Sequence, residues 1–273
     1  MNDLKITIVQ SDLFWENKEE NLKMFSQKIA AISERTDLIV LPEMFTTGFS
    51  MSPEKFAEPM NGSSVNWLAE KAREKNCVIT GSFICEENNK YFNRLVWMNP
   101  DGSYNSYDKR HLFRMANEDN YYCAGQDKII VELKGWKICP LICYDLRFPV
   151  WSRQNIEVRR QKSEDRRLEY QYDVLIYIAN WPKRRSHPWK ILLMARAIEN
   201  QCYVVGLNRV GDDGNKIGHS GDSVVINAKG ETISKIKPYE ECIETVTISF
   251  IELEKFRKSF PAILDADDFK ISG

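Results

Sequence analysis

Apolar residues recur along the chain with two periods, and the switches between them mark strands and helices in turn. Leu4, Ile6 and Ile8 alternate with polar neighbours, the period of a strand with one buried face. Asn17, followed three residues later by Glu20, is a capping pair that predicts a helix, and Leu22, Phe25, Ile29 and Ile32 give that helix one apolar face. The solid apolar run within 37–41 predicts a strand covered on both faces, and it stops at Pro42-Glu43. Ser63 or Ser64 can cap a second helix carrying Val65, Leu68 and Ala72, after which CVITGSFIC, residues 77–85, predicts a third strand. Strands at 91–98 and 104–109 flank Asn-Pro-Asp-Gly, residues suited to a tight turn, so they predict a hairpin ending on Lys109.

The second half keeps this rhythm. After a polar, aromatic loop at 110–126, strands are predicted at 129–133, 136–142 and 173–179. A helix at 186–200 would bury Trp189, Leu192, Leu193 and Ala197, with strands following at 202–208, 222–227, 232–236 and 242–248. A last helix at 250–260 is stopped by Pro261 and leaves an acidic, aromatic tail to 273. Strand, helix, strand and hairpin come in similar order in both halves, which predicts an α/β protein with two facing sheets and helices outside. With 273 residues, 43% of them hydrophobic, the chain can bury that core as a single domain. Residues 153–172 interrupt the pattern with six basic and four acidic side chains, a solvated excursion.

Charge and cysteine usage narrow the partners. A formal net charge of -1 leaves no basic excess for nucleic acid or an anionic membrane, so a small molecule is the expected partner. Residues 1–10 alternate where a signal peptide would be continuously apolar, and no run approaches the ~18 apolar residues of a membrane helix. Seven cysteines without framework spacing fit free thiols in a reducing, cytoplasmic setting. Cys139 and Cys143 lie four residues apart on an extended segment, about 13 Å, too far to share one metal ion.

The candidate chemistry sits at strand ends. In WKICPLICYDLRFP, residues 136–149, an apolar strand runs up to Cys143 and gives way to Tyr144, Asp145 and Arg147. A cysteine there exposes its sulfur to a crevice while the following backbone N–H groups face whatever the sulfur attacks, although a small core residue fits the same run. Two other strand ends offer Glu43 and Lys109, and strand ends of an α/β sheet converge on the ligand crevice. A carboxylate can take a thiol proton, and an ammonium can stabilise a thiolate or an oxyanion.

LPEMF at Glu43, YDKRHLF at Lys109 and LICYDLRFP at Cys143 resemble the Glu-Lys-Cys motifs of the nitrilase superfamily of carbon-nitrogen hydrolases. The likeness continues through NEDNYYCAGQ, ANWPKRR, HPWKILLMARAIENQ, NRVGDDGN and FPAILDADDF, leaving out the excursion, and is strongest to the omega-amidase, or 2-oxoglutaramate amidase, branch. The resemblance implies a four-layer αββα sandwich, usually dimeric, with no cofactor, and the cysteine spacing already disfavours a metal. It also implies a second glutamate that positions the triad, for which Glu118 is the best match and Glu132 an alternative. The implied reaction releases ammonia from the terminal amide of a small 2-oxo dicarboxylic acid through a thioester on Cys143. A nitrile or an N-carbamoyl amine is the alternative substrate, and an idle ligand-binding homologue the alternative class. Phe45, Phe113, Tyr144 and Trp181 would wall the pocket, while Arg147, Arg114 or Arg184 could pair with a substrate carboxylate.

Overall fold

The computed structural model describes residues 2–154, 156–158, 168–267 and 269–271. In chain order these form β1 (Leu4–Gln10), α1 (Lys18–Ala30), β2 (Leu38–Val40), α2 (Pro53–Phe56), α3 (Ser63–Lys75), β3 (Val78–Glu87), β4 (Lys90–Met98) and β5 (Tyr104–Asp108). Next come β6 (Val131–Leu133), β7 (Trp136–Ile142), α4 (Pro149–Ser152), β8 (Ile156–Val158), β9 (Leu168–Tyr170), β10 (Val174–Ala179) and α5 (Ser186–Asn200). The chain continues with β11 (Tyr203–Asn208), β12 (Val210–Asp212), β13 (Gly218–Ser220), β14 (Val224–Ile226), β15 (Cys242–Ile248) and α6 (Phe250–Ser259).

Two sheets carry the molecule. The first has the order β15-β1-β2-β3-β4-β5, and the second β14-β11-β10-β7-β6. Parallel strands form the middle of each sheet, β1-β2-β3 and β7-β10-β11, with antiparallel strands at the margins. The period of two sorts side chains between layers. Ile6, Ile8, Leu38 and Val40 enter the core shared with Ile138, Leu141 and Ile176 of the second sheet, while Val9, Ile39 and Leu41 enter the cluster beneath α1 and α3. On the far side, Trp189, Leu193 and Ala197 of α5 are buried against the second sheet. The result is a four-layer αββα sandwich. Each fully buried Leu, Ile or Phe side chain contributes roughly 1.5–3 kcal/mol to its cohesion. Arg257 fastens α6 at the start of β10 through Asp173 at 2.6 Å, at the opposite end of the strands from Cys143.

Three local expectations change. Neither Ser63 nor Ser64 is the N-cap of α3; Gly62 is, because both serine hydroxyls and the Ser64 N–H bind the carboxylate of Glu58, which supplies the cap from upstream. The expected strand at 232–236 is reduced to a single bridge between Ile226 and Thr232. Conversely, Val210–Asp212 and Gly218–Ser220 pair as a hairpin, although glycines and acids there hide any alternation. Parts of the charged excursion, residue 155 and residues 159–167, lie outside the described residues, as do 268, 272 and 273 of the tail.

Candidate active site

Three strand ends are held by their own backbone turns. Leaving β7, Cys143 takes a left-handed conformation at φ 46°, and residues 143–147 tighten into a 3-10 turn. That conformation costs a non-glycine residue roughly 1–3 kcal/mol, so the surroundings must hold it. Asp145 does so by accepting from Ile142 N at 3.1 Å, Tyr107 Oη at 2.7 Å and His111 N at 3.0 Å. Glu43 is followed by a second left-handed residue, Met44 at φ 44°, whose N–H binds Ser82 Oγ at 2.8 Å. Lys109 leaves β5 with its N–H on Asn93 O and its carbonyl accepting from Gly125 N, both at 3.0 Å. Gly125 must be glycine for that approach, since a Cβ would lie 2.1 Å from Asp108 O.

These turns deliver the side chains to one point. Lys109 Nζ lies 2.9 Å from Glu43 Oε1 and 3.0 and 2.9 Å from the two oxygens of Glu118. Asn93 Nδ2 donates to Glu43 Oε1 at 2.8 Å, and Asn180 N donates to Glu43 Oε2 at 2.7 Å. The Cys143 thiol lies close enough to Glu43 to feel its charge. Glu43, Lys109 and Glu118 are all fully buried.

Electrostatics fix the resting protonation. Burial works against the Lys109 charge, but Glu118 and Glu43 outweigh it and hold the ammonium well above its ordinary range. Burial, reinforced by the neighbouring Glu43 charge, pushes the Cys143 thiol well up, so the sulfur rests protonated beside a carboxylate. Burial also raises Glu118, opposed by Lys109 and reinforced by Glu43. The arrangement suits attack by a thiol that loses its proton as it attacks.

Above the sulfur opens a cavity of about 540 Å³. Cys143 and Asn180 lie among its lining, Phe49, Met51, Phe113, Tyr144 and Trp181 form apolar wall, and Arg147, Arg184, Arg185 and His219 add polar groups. Phe113, Tyr144 and Trp181, expected to wall a substrate pocket, and Arg147, a candidate to pair with the substrate carboxylate, all line this cavity. Phe45 is not in the wall: beyond the left-handed Met44 its ring turns into the helix layer, 5.9 Å from Phe25 and 5.7 Å from Trp67. Phe49 and Met51 line the pocket from the same segment. Glu118, not Glu132, reaches the lysine; Glu132 is exposed on β6. Arg114 is 84% exposed and faces Asp119 at 3.5 Å, away from the pocket lining. Cys139 lies in the apolar core, where burial pushes its thiol up to about 12. Among the described residues no cluster of three or more His, Cys, Asp or Glu side chains could hold a metal.

Asn93, Asn180, Arg185 and His219 went unnoticed in the sequence. Asn93 leaves a signal, a polar residue that with Arg94 interrupts the largely apolar strand FNRLVWM.

This fold, with acid, amine and thiol meeting at its strand ends, defines a class of hydrolase. The chain matches the carbon-nitrogen hydrolase family over residues 5–258 and belongs to it. It is 44% identical to the omega-amidase YafV of Escherichia coli (strain K12), an alignment covering 99% of this chain and 100% of that one. It is 32% identical to the 2-oxoglutaramate amidase of Bacillus subtilis (strain 168), covering 95% and 96%. Among solved structures, a CN-hydrolase superfamily protein of Xanthomonas campestris, with an arsenic adduct in its active site, superposes with a TM-score of 0.94 at 42% identity over the whole of both chains. Nit3 of Saccharomyces cerevisiae, in the nitrilase superfamily, shares the fold with a TM-score of 0.81 at 23% identity.

Proposed function

We propose that the protein hydrolyses the terminal amide of a small 2-oxo dicarboxylic acid, 2-oxoglutaramate or a close relative, to ammonia and the free acid. The observation that carries this reading is the Glu43–Lys109 pair beside the protonated Cys143 thiol, which lines a small pocket. The amidases named among the relatives supply the substrate class.

The steps use the chain's own groups. Glu43 takes the thiol proton as sulfur attacks the amide carbon, and the oxyanion forms against Lys109 and the backbone N–H of Tyr144. That N–H belongs to the first turn of a 3-10 segment, where N–H groups have no partner within the turn. Glu43 then gives its proton to the departing nitrogen, ammonia leaves and a thioester remains. A water molecule loses a proton to Glu43 and attacks the thioester carbon. As the tetrahedral centre collapses, the carboxylic acid leaves and the proton returns to sulfur. Glu118 has no proton to move in this cycle; it fixes Lys109, and Asn93 fixes both carboxylates.

The reading includes one hydrolase domain, a cytoplasmic setting, a homodimer, and no nucleic-acid or membrane partner. Ile191, Met194 and Ile198 form an exposed apolar stripe on α5 that a second copy would cover. Among the described residues no helix is long and apolar enough to cross a membrane.

The test is ammonia release from a panel of 2-oxoglutaramate, glutamine, a nitrile and an N-carbamoyl amino acid. The expected kcat/KM for 2-oxoglutaramate exceeds that for glutamine by at least ~10²-fold, the scale on which a polar site rejects a mismatched substrate. Faster turnover of the nitrile or carbamoyl compound would overturn the substrate class. Light scattering at micromolar concentration tests the dimer.

A further inference from the structure

The pocket holds an arrangement that its catalytic cluster does not use. Arg147 comes from the turn after the nucleophile, and Arg185 from a 3-10 turn, Lys183–Arg185, that follows β10. Both line the same cavity as Cys143. Each guanidinium is held near an aromatic ring: Arg147 lies 5.1 Å from the centre of Trp181, and Arg185 lies 5.3 Å from that of Phe113.

Neither arginine has a carboxylate partner among the described residues. Buried arginines elsewhere do: Arg94 has Asp108, Arg196 has Glu199, Arg209 has Asp12 and Arg257 has Asp173. Arg185 instead donates to a thioether, Met115 Sδ at 3.4 Å, while its Nη1 is buried without any partner. Burial and the like charges of Arg184 and Arg147 press its guanidinium below its ordinary range. Two cations brought together with no anion are in an unfavourable arrangement that an anion would relieve.

We infer that Arg147 and Arg185 form the carboxylate subsite, gripping the end of the substrate remote from the amide and setting the preference for acidic over neutral amides. A guanidinium presents its donors as a planar fork matched to a carboxylate, and the neighbouring rings hold both forks in place before substrate arrives. Arg184 adds charge at the same wall but is exposed, and Arg114 stands outside it.

This rests on the amidase reading, so the experiment separates the two. Ammonia release is compared for 2-oxoglutaramate and 4-oxopentanamide, which carries a methyl group where the first carries its carboxylate. In Arg147→Met and Arg185→Met the ratio of kcat/KM for acidic over neutral amide is expected to fall about 10²-fold, the scale of losing one partner of a desolvated charge pair. Arg114→Gln is expected to keep the wild-type ratio. An equal fall on both amides, or an unchanged ratio, overturns the subsite.

A second arm needs no turnover. Calorimetric binding of 2-oxoglutarate to Cys143→Ala protein is expected to weaken about 10²-fold when either arginine is also replaced by Met, and unchanged affinity overturns the subsite. If wild-type protein hydrolyses neither amide, the amidase reading falls and the binding arm decides the arginines by itself.

Discussion

The floor and the rim of the pocket solve opposite problems with the same kinds of charge. On the floor, one ammonium is shared between two carboxylates, and backbone or amide N–H groups of Asn93, Phe113 and Asn180 hold their oxygens in place. On the rim, Arg147 and Arg185 have rings beside them and, among the described residues, no acid opposite. A floor satisfied before substrate arrives is preorganised for chemistry, whereas an unsatisfied rim is completed only by what binds. The contrast predicts that floor mutations reduce turnover of every substrate and rim mutations change which substrate is turned over.

The largest break of the floor is removal of its nucleophile. Cys143→Ala should lower turnover by more than about 10⁴-fold while thermal unfolding stays near that of wild type, because sulfur is needed for every covalent step. Mass spectrometry of a slowly deacylating variant should find the acyl group on Cys143. Label on Cys139, four residues earlier within β7, would reject the assignment.

Next in size is the cation. Lys109→Gln keeps polarity but loses charge and reach, and should cost roughly 10²–10³-fold in kcat, as for one lost oxyanion donor. Glu118→Ala should cost less than Lys109→Gln, since Glu118 touches the lysine and takes no part in proton transfer; a larger loss would make it a second base.

A smaller loss tests whether the floor needs its scaffold. Asn93→Ala leaves every reacting group in place but frees one oxygen of Glu43 and its contact to Glu118. The expected result is about a tenfold fall in kcat with KM little changed, because positioning and not binding is lost. A change confined to KM would place Asn93 on the substrate instead.

What the chain disclosed in advance follows the same division. Glu43, Lys109 and Cys143 were legible because each ends an apolar or alternating run, a local pattern that survives folding. Their side-chain directions were less so. Phe45 leaves the pocket because Met44 is left-handed, which no periodicity records. The sequence does not separate Glu118 from Glu132 because the loop at 110–126 folds through 3-10 turns that return Glu118 to Lys109, a contact set by tertiary packing. Arg185 is hidden for a related reason: among three consecutive basic residues, only the turn decides that Arg184 and Arg185, and not Lys183, line the cavity.

The smallest expected effect on turnover belongs to His219, a rim residue whose role differs from that of the arginines. It is 5% exposed with Nδ1 unpartnered, and burial together with the nearby Arg209 pushes its pKa down to about 4. In the unfolded chain the imidazole titrates near ~6.5. Between those values the unfolded state binds a proton that the folded state refuses. Stability from this residue is therefore fully present above about pH 6.5 and is lost as the pH falls toward 4, amounting to about 3 kcal/mol across the window. Buried carboxylates with lowered values, Glu58 and Asp222, add their own loss only toward more acid pH. Urea unfolding at pH 7 and pH 5 should show wild-type stability falling by roughly 2 kcal/mol from this residue, and His219→Gln should abolish most of that slope. An equal slope in the variant would mean that the imidazole takes up its proton equally in the folded and unfolded chains, which would overturn the burial effect at His219.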